Sequence, residues 1–304
     1  MDEAVLERAV VAATGEGVRS SRALSGGCVA SVRLAELASG GRVVVKLGGG
    51  TLGVEAMMLR FLGERSSLPV PGVVGLVEDP EALVLEYVEG GGSLGADGER
   101  HAAELLVSLH SVTATAEDGR EGGFGFDCDT VIGPLRQPNG WRGEWWEFWR
   151  DERLMHFARG AREGGPLPGG LFDRLERLAG RLDASVCPPP GGPAGAVGRL
   201  VHGDCWGGNV LASGDGARVA AFIDPAVHFG HPESELAFAT LFGTFGRAFF
   251  DRYAELSEAV GDWEGFWGVR RDLYNLVPLL VHVRLFGGGY VGQLEAALGR
   301  TGLG

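Results

Sequence analysis

Two short stretches of this 304-residue chain leave it the fewest ways to fold. They are Leu200-Val201-His202-Gly203-Asp204-Cys205-Trp206-Gly207-Gly208-Asn209-Val210-Leu211 and Ala221-Phe222-Ile223-Asp224-Pro225. Residues 210–212 and 218–223 read as two short strands, and Ser213-Gly214-Asp215-Gly216 between them is turn chemistry. A hairpin returns its ends to one side, so Asn209 and Asp224 are expected to converge near its open end. Both are hard oxygen ligands, suited to magnesium bridging phosphates and ill suited to zinc. Asp204, five residues before Asn209, reaches the same place from a loop. A carboxylate, a carboxamide and a second carboxylate so placed can hold a metal-bound phosphate beside a hydroxyl. Asp204 would accept or orient the hydroxyl proton, and Asn209 and Asp224 would hold the metal. His-Gly-Asp triplets and Asp-Pro turns also occur in ordinary loops; the joint spacing of the three groups is what sets this stretch apart.

Upstream, Val5, Leu6, Ala9, Val10 and Ala13 recur at helical spacing and predict a short amphipathic helix. Three β-rich runs follow at 18–24, 28–37 and 42–47, divided by Ser25-Gly26-Gly27 and Ser39-Gly40-Gly41, which reads as an antiparallel meander. Gly26, Gly27 and Cys28 form a turn able to cover phosphates, since glycine lets backbone N–H groups come close to an anion. A Gly-Gly hairpin is equally often only a hairpin, and a redox role for Cys28 has no second residue to support it. Lys46 interrupts the apolar run Val43-Val44-Val45-Lys46-Leu47. A buried lysine is costly unless paired, so it asks for an anion. The predicted helix at 54–65 carries Val54, Met57, Met58, Phe61 and Leu62 on one stripe and Glu55 in its first turn. A Lys46–Glu55 pair aiming the ammonium at phosphates is the functional expectation; a strand-edge lysine reaching for water is the plain one.

Gly48-Gly49-Gly50-Thr51-Leu52-Gly53 matches G-x-G-x-x-G, follows a strand and precedes a helix, and the later strand at 73–77 ends in Glu78-Asp79. That pattern suits a dinucleotide site, and with it an NAD-dependent oxidoreductase. The meander around it and the idle Asp204, Asn209 and Asp224 count against this alternative. The strand at 83–88 runs into Glu89-Gly90-Gly91-Gly92-Ser93, the clearest linker, which divides the chain into residues 1–88 and 89–304. In a kinase-like fold the backbone at Glu86 and Val88 would bind adenine. Beyond the linker the patterning is helical, as at Ala102, Leu105, Leu106 and Leu109, and again over 171–182. Trp145, Trp146, Phe148 and Trp149 either wall a sugar pocket or fill the core, with the core favoured. The expected fold class is α+β: a small antiparallel-sheet lobe and a larger, mostly helical one.

A net charge of −13 argues against a general nucleic-acid binder, while leaving room for a nucleotide held by one lysine and a metal. The four cysteines, Cys28, Cys128, Cys187 and Cys205, form no CxxC pair, which suits a reducing, cytoplasmic setting. The acidic start lacks a signal-peptide pattern. The most apolar late segment, 273–286, contains Asn275, His282 and Arg284 and is too short and polar to span a bilayer. No membrane role is expected, and oligomeric state is not legible.

Taken together, the runs at 25–30, Lys46 with Glu55, 83–87, 123–141, His202 through Asn209, 223–226 and 273–290 resemble the fructosamine-3-kinase (ketosamine kinase) family, itself related to aminoglycoside and choline kinases. The most specific are Gly125-Phe126-Asp127-Cys128-Asp129, Gln137-Pro138-Asn139-Gly140-Trp141 and Leu285-Phe286-Gly287-Gly288-Gly289-Tyr290. The resemblance implies a two-lobed protein-kinase-like fold and ATP- and Mg2+-dependent phosphorylation of the third-carbon hydroxyl of ketosamines, either small molecules or glycated protein lysines. The ester then eliminates and frees the amine, a deglycation. By position it implies Asp204 as base, Asn209 and Asp224 as metal ligands, Lys46 with Glu55 as phosphate clamp, and Trp206, His282 and Asp129 as substrate residues. The family usually has Leu at Cys205, Ser at Gly207, Asn at Thr130, Tyr at His228 and Asp at Glu235; the changes at Thr130 and His228 bear on pocket shape. The nearest alternative is the same fold acting on another small alcohol, in the manner of aminoglycoside or choline kinases.

Overall fold

Helix α1 (Glu3–Thr14) is followed by strands β1 (Val18–Ala23), β2 (Ser31–Leu37) and β3 (Arg42–Leu47), helix α2 (Leu52–Arg65), and strands β4 (Val73–Val77) and β5 (Ala82–Glu86). The computed structural model describes residues 3–24, 31–182 and 197–303. The strands form one sheet in the order β1-β2-β3-β5-β4, antiparallel at every step. Successive strand side chains point to opposite faces, and that parity places the lysine. Val43, Val45 and Leu47 of β3, with Ala82 and Val84 of β5, pack on Leu6, Ala9 and Val10 of α1. Val44, Leu83 and Leu85 turn the other way, toward Leu52, Ala56 and Leu59 of α2. Lys46 shares the parity of Val44 and so faces α2.

The glycine run after β3 does not make a dinucleotide site. It joins an antiparallel strand to α2, and Gly48, Gly49 and Gly50 all have φ between 69° and 111°, a sharp left-handed turn only glycine enters freely. The Gly48 and Gly50 N–H groups are bonded to the Glu81 carbonyl and carboxylate at 3.0 and 3.1 Å, so they are not offered to a pyrophosphate.

The second lobe contains α3 (Ala96–Leu109), the hairpin β6 (Thr130–Ile132) and β7 (Leu135–Gln137), α4 (Trp145–Phe148), and a π-helical turn over Trp149–Leu154 that leads into α5 (Met155–Gly164). Then come α6 (Gly169–Ala179), β8 (Arg199–Val201), β9 (Val210–Ala212), β10 (Val219–Phe222), β11 (His228–Gly230), α7 (Pro232–Thr240), α8 (Arg247–Leu256), α9 (Trp263–Gly265), α10 (Arg271–Phe286) and α11 (Val291–Arg300). Trp145, Trp146, Phe148 and Trp149 are buried, and Trp146 stacks on Tyr274 of α10 at 5.7 Å, so these rings are core. Among the described residues no helix is long and apolar enough to cross a membrane.

Helix α2 is fastened to both lobes. Met58 and Leu62 belong to the large lower core, and the Met58 sulfur accepts from the Val227 N–H at 3.4 Å. Phe61 meets the face of Phe126 edge-on at 4.8 Å, and Arg65 forms an ion pair with Asp118. The two-lobed fold therefore fixes where Glu55 stands relative to the lower lobe.

Candidate active site

The loop between β8 and β9 is held through its backbone groups. Gly203 has φ +85°, and a Cβ there would lie 2.1 Å from the Ala226 carbonyl oxygen, so only glycine fits. On α7, Glu235 accepts from the Gly203 N–H at 2.7 Å and the His202 N–H at 3.3 Å. Its outer oxygen bonds His110 Nε2 at 2.8 Å, and His110 Nδ1 meets the Tyr253 hydroxyl at 2.7 Å. Burial pushes the Glu235 carboxyl up, but the bond and charge of His110, with the Gly203 N–H, outweigh it and hold the group below its usual value. An ionised carboxylate thus suspends the loop from inside the lobe.

Asp204 hangs at the end of this suspension. Asn209 Nδ2 donates to its carbonyl at 2.9 Å and to Oδ2 at 2.8 Å. Among the described residues it forms no ion pair. Burial raises its carboxyl, the Asn209 bond opposes, and the charges of Asp224 and Glu235 add, leaving it near pH 8. An acid so placed takes a proton readily when ionised.

Across the cleft, Lys46 Nζ bonds Glu55 Oε1 at 2.6 Å and also Asp224 Oδ1. Burial favours a neutral lysine, but the two carboxylates outweigh it and raise its pKa. Glu55 is raised, chiefly by burial. The Ile223 N–H donates to the Asn209 carbonyl at 3.0 Å, which places Asn209 and Asp224 side by side at the open end of the β9–β10 hairpin. Asp224 has φ +53°, a left-handed conformation that turns its carboxylate toward Lys46. The Asn209 amide oxygen and the second Asp224 oxygen accept no bond among the described residues. Two neighbouring hard donors, with no group of three or more His, Cys, Asp or Glu among the described residues, fit an ion that keeps waters and phosphate oxygens in its shell, not a closed metal cage.

Aromatic rings line the loop's other side. The Trp206 ring covers Gly208, where a Cβ would lie 2.4 Å from it. Phe242 is 45% exposed at φ +61°, close to His282 (4.9 Å between ring centres) and Trp206 (6.1 Å), and His282 meets Tyr290 at 4.9 Å. Thr244 Oγ1 accepts from the Gly207 N–H at 2.9 Å, tying this segment to the loop. His282 Nδ1 lies 2.7 Å from the Pro278 carbonyl, so Nδ1 donates there and Nε2 is left as an acceptor.

The structure thus brings Lys46, Glu55 and Asp224 into one cluster, Asp204 with Asn209, and Trp206 and His282 into one aromatic wall. Asp129 stands apart, just before β6, paired with Arg136 and 3.4 Å from the Asn139 N–H. Strand β5 ends at Glu86, whose N–H bonds the Gly72 carbonyl at 2.8 Å; the Val88 N–H has no partner among the described residues. Gly26, Gly27 and Cys28 lie outside the described residues. Sequence reasoning missed Glu235 as an anchor, seeing it only as a departure from the family pattern, and missed His110 and Phe242 altogether.

The fructosamine kinase family model matches residues 4–301. A Synechocystis sp. protein named as a ketoamine kinase is 32% identical over 251 residues, 80% of this chain and 76% of that protein. The protein-ribulosamine 3-kinase of Arabidopsis thaliana chloroplasts is 29% identical over 243 residues, 78% of this chain and 67% of its own. A crystal structure from Thermobifida fusca, assigned as a fructosamine-3-kinase, superposes with a TM-score of 0.79 at 29% identity, covering 97% of this chain and 98% of the other. With a phosphotransferase-type cleft and matches of this extent, the chain belongs to the fructosamine kinase family, kinases that use ATP.

Proposed function

We propose that this kinase transfers the γ-phosphoryl group of ATP to the third-carbon hydroxyl of a ketosamine of the ribulosamine or fructosamine type. The observation that carries the reading is the convergence of Asp204, Asn209 and Asp224 on one cleft beneath Lys46, in a chain whose relatives are named ketoamine and ribulosamine kinases. Residues 1–88 form the nucleotide-covering lobe and 89–304 the catalytic one, with the Glu86 carbonyl and the Val88 N–H offered to adenine. Asn209 and Asp224 hold Mg2+, which supplies neutralisation of phosphate charge when bound. Lys46, positioned by Glu55, contacts the phosphates; to do so its ammonium gives up part of its bond to Asp224.

Asp204 orients the acceptor hydroxyl and takes its proton as the P–O bond forms. Phosphoryl transfer depends mainly on positioning and charge stabilisation, so a carboxylate suffices as base. Trp206, Phe242, His282 and Tyr290 wall the sugar, with His282 Nε2 available to a sugar hydroxyl. Once carbon 3 carries phosphate, proton loss from carbon 1 gives an enaminol that expels inorganic phosphate. Water then hydrolyses the resulting imine and releases the amine, which makes the enzyme a deglycating one. An ATP-consumption assay with Mg2+ across a ribulosamine, a fructosamine, an aminoglycoside and choline tests this. Turnover confined to the ketosamines is expected; turnover confined to an aminoglycoside or choline would overturn it.

A further inference from the structure

Beside the Asp204 loop five rings meet: Trp206, Phe242, His282, Phe286 and Tyr290. Phe242 has φ +61° and is followed by Gly243 at φ +68°, a double left-handed turn that holds the phenyl ring 45% exposed. A bulky residue rarely adopts that conformation, and it persists here because Thr244, two residues on, is bonded to the Gly207 N–H of the catalytic loop. Trp206 and Tyr290 stand at 75° and 90° to the Phe242 ring, with centres 6.1 and 6.4 Å away. Helix α10 adds His282 and Phe286, one turn apart with ring centres 5.3 Å apart, and Phe286 is 49% exposed.

The cluster carries no charge of its own. Burial holds His282 below its usual pKa, and its Nδ1 faces the Pro278 carbonyl, so the neutral ring keeps Nε2 as an acceptor. The cation–ring contacts among the described residues all fall on other rings. Arg284, on the same helix, is turned away to the Gly164 carbonyl. Asp204 is the one acid between His202 and Asn209, and its Oδ2 is engaged by the Asn209 amide. The ring faces thus offer negative potential with no protein cation over them.

We propose that these rings form an open cage for the protonated secondary amine of the ketosamine, so that the enzyme reads its substrate as an ammonium ion as well as a sugar. The cage deepens the ketosamine reading above and rests on it. A dialkylamine of this kind is a cation at neutral pH, and aromatic faces attract such a cation as it leaves water. Connectivity brings it close: three bonds separate the reacting carbon 3 from the nitrogen on carbon 1. With the hydroxyl at Asp204, the nitrogen falls near the flanking loop residues, of which Trp206 is the aromatic one, packed on Phe242. His282 Nε2 supplies a neutral acceptor for an ammonium N–H. A carboxylate in this place would add negative charge beside Asp204 and the phosphates; rings hold the ammonium without it.

The test compares the fructosamine of propylamine with 1-O-propylfructose, in which an ether oxygen replaces the nitrogen and the charge is gone. Binding to the full chain is read by titration calorimetry, and transfer by steady-state kinetics with ATP and Mg2+. Wild type is expected to bind the amine about 5–10-fold more tightly than the ether, a comparison that needs no variant. Phe242→Leu, which keeps an apolar side chain but no ring face, should remove most of that preference by weakening the amine alone, and Phe242→Tyr should retain it. Equal affinity of wild type for the two compounds, or an equal loss of both in Phe242→Leu, means that the rings are only an apolar wall, and the proposal fails. Preferential binding of the amine without phosphoryl transfer would keep the cage and overturn the acceptor assignment. Transfer to both compounds at equal affinity would keep that assignment and overturn the cage.

Discussion

The two walls of the cleft are built on opposite principles. On the nucleotide side every charge has a counter-charge: Lys46 sits between Glu55 and Asp224, and its pKa is raised despite burial. On the acceptor side Asp204 has no cation, and burial drives its carboxyl to about 8. It is placed by hydrogen bonds instead: the Asn209 amide, the left-handed Gly203 and the two loop N–H groups gripped by the Glu235 carboxylate. The difference separates two tasks. In the proposed mechanism the upper wall would need charge balance that a metal-bound nucleotide can redistribute, whereas the lower wall would need one acid held still to accept a proton.

This contrast can be broken at several points. The largest effect is expected from Asp204→Asn, which should lower kcat by roughly 10²–10⁴-fold while leaving ATP affinity within a few-fold, measured by steady-state kinetics and nucleotide titration. Glu235→Ala strikes the suspension. It leaves two loop N–H groups and His110 buried without their acceptor, so stability should fall by about 3 kcal/mol in denaturant unfolding, with kcat falling and KM for ATP nearly unchanged. Lys46→Met should instead raise KM for ATP by about 10–100-fold, and it should also cost stability, since it leaves Glu55 and Asp224 without their counter-charge. Equal effects of Glu235→Ala and Lys46→Met on KM for ATP would abolish the distinction between the walls.

A subtler expectation concerns pH. The folded protein holds the Asp204 proton far more tightly than the unfolded chain, whose carboxyl has a pKa of about 3.8. This group's stabilising contribution is therefore complete below about pH 4 and is lost as pH rises toward 8. Asp204→Asn, which cannot ionise, should flatten that decline in the ligand-free protein and raise Tm at pH 8 relative to wild type. In the wild-type enzyme kcat/KM for the acceptor should climb with pH as Asp204 ionises, the limb moving to lower pH once Mg2+ is bound nearby. A Tm difference between the two proteins that stays constant from pH 5 to 8 would contradict the raised Asp204 pKa.

The parts of the site that follow from local rules were legible in the sequence. A strand's alternation and an apolar stripe put Lys46 opposite Glu55, and a hairpin put Asn209 beside Asp224. The antiparallel meander was readable from Gly-rich turns, and it correctly discounted the Gly48–Gly53 pattern. What stayed hidden depends on contacts distant in the chain. Glu235 meets the loop across 32 residues and His110 across 125, and neither residue type announces that it will be buried and bonded. Phe242 gave no signal because an aromatic residue ordinarily avoids positive φ. The four-ring run at 145–149 was readable as core, since rings at helical spacing more often pack inward than face a ligand.

The most direct test of the account is to incubate the enzyme with ATP, Mg2+ and a ribulosamine or fructosamine and follow phosphate by ³¹P NMR, beside Asp204→Asn. The account predicts a sugar phosphate ester at carbon 3 that decays to inorganic phosphate with release of the amine, formed by wild type and absent in the variant. An ester at another carbon, or equal product from Asp204→Asn, would contradict it.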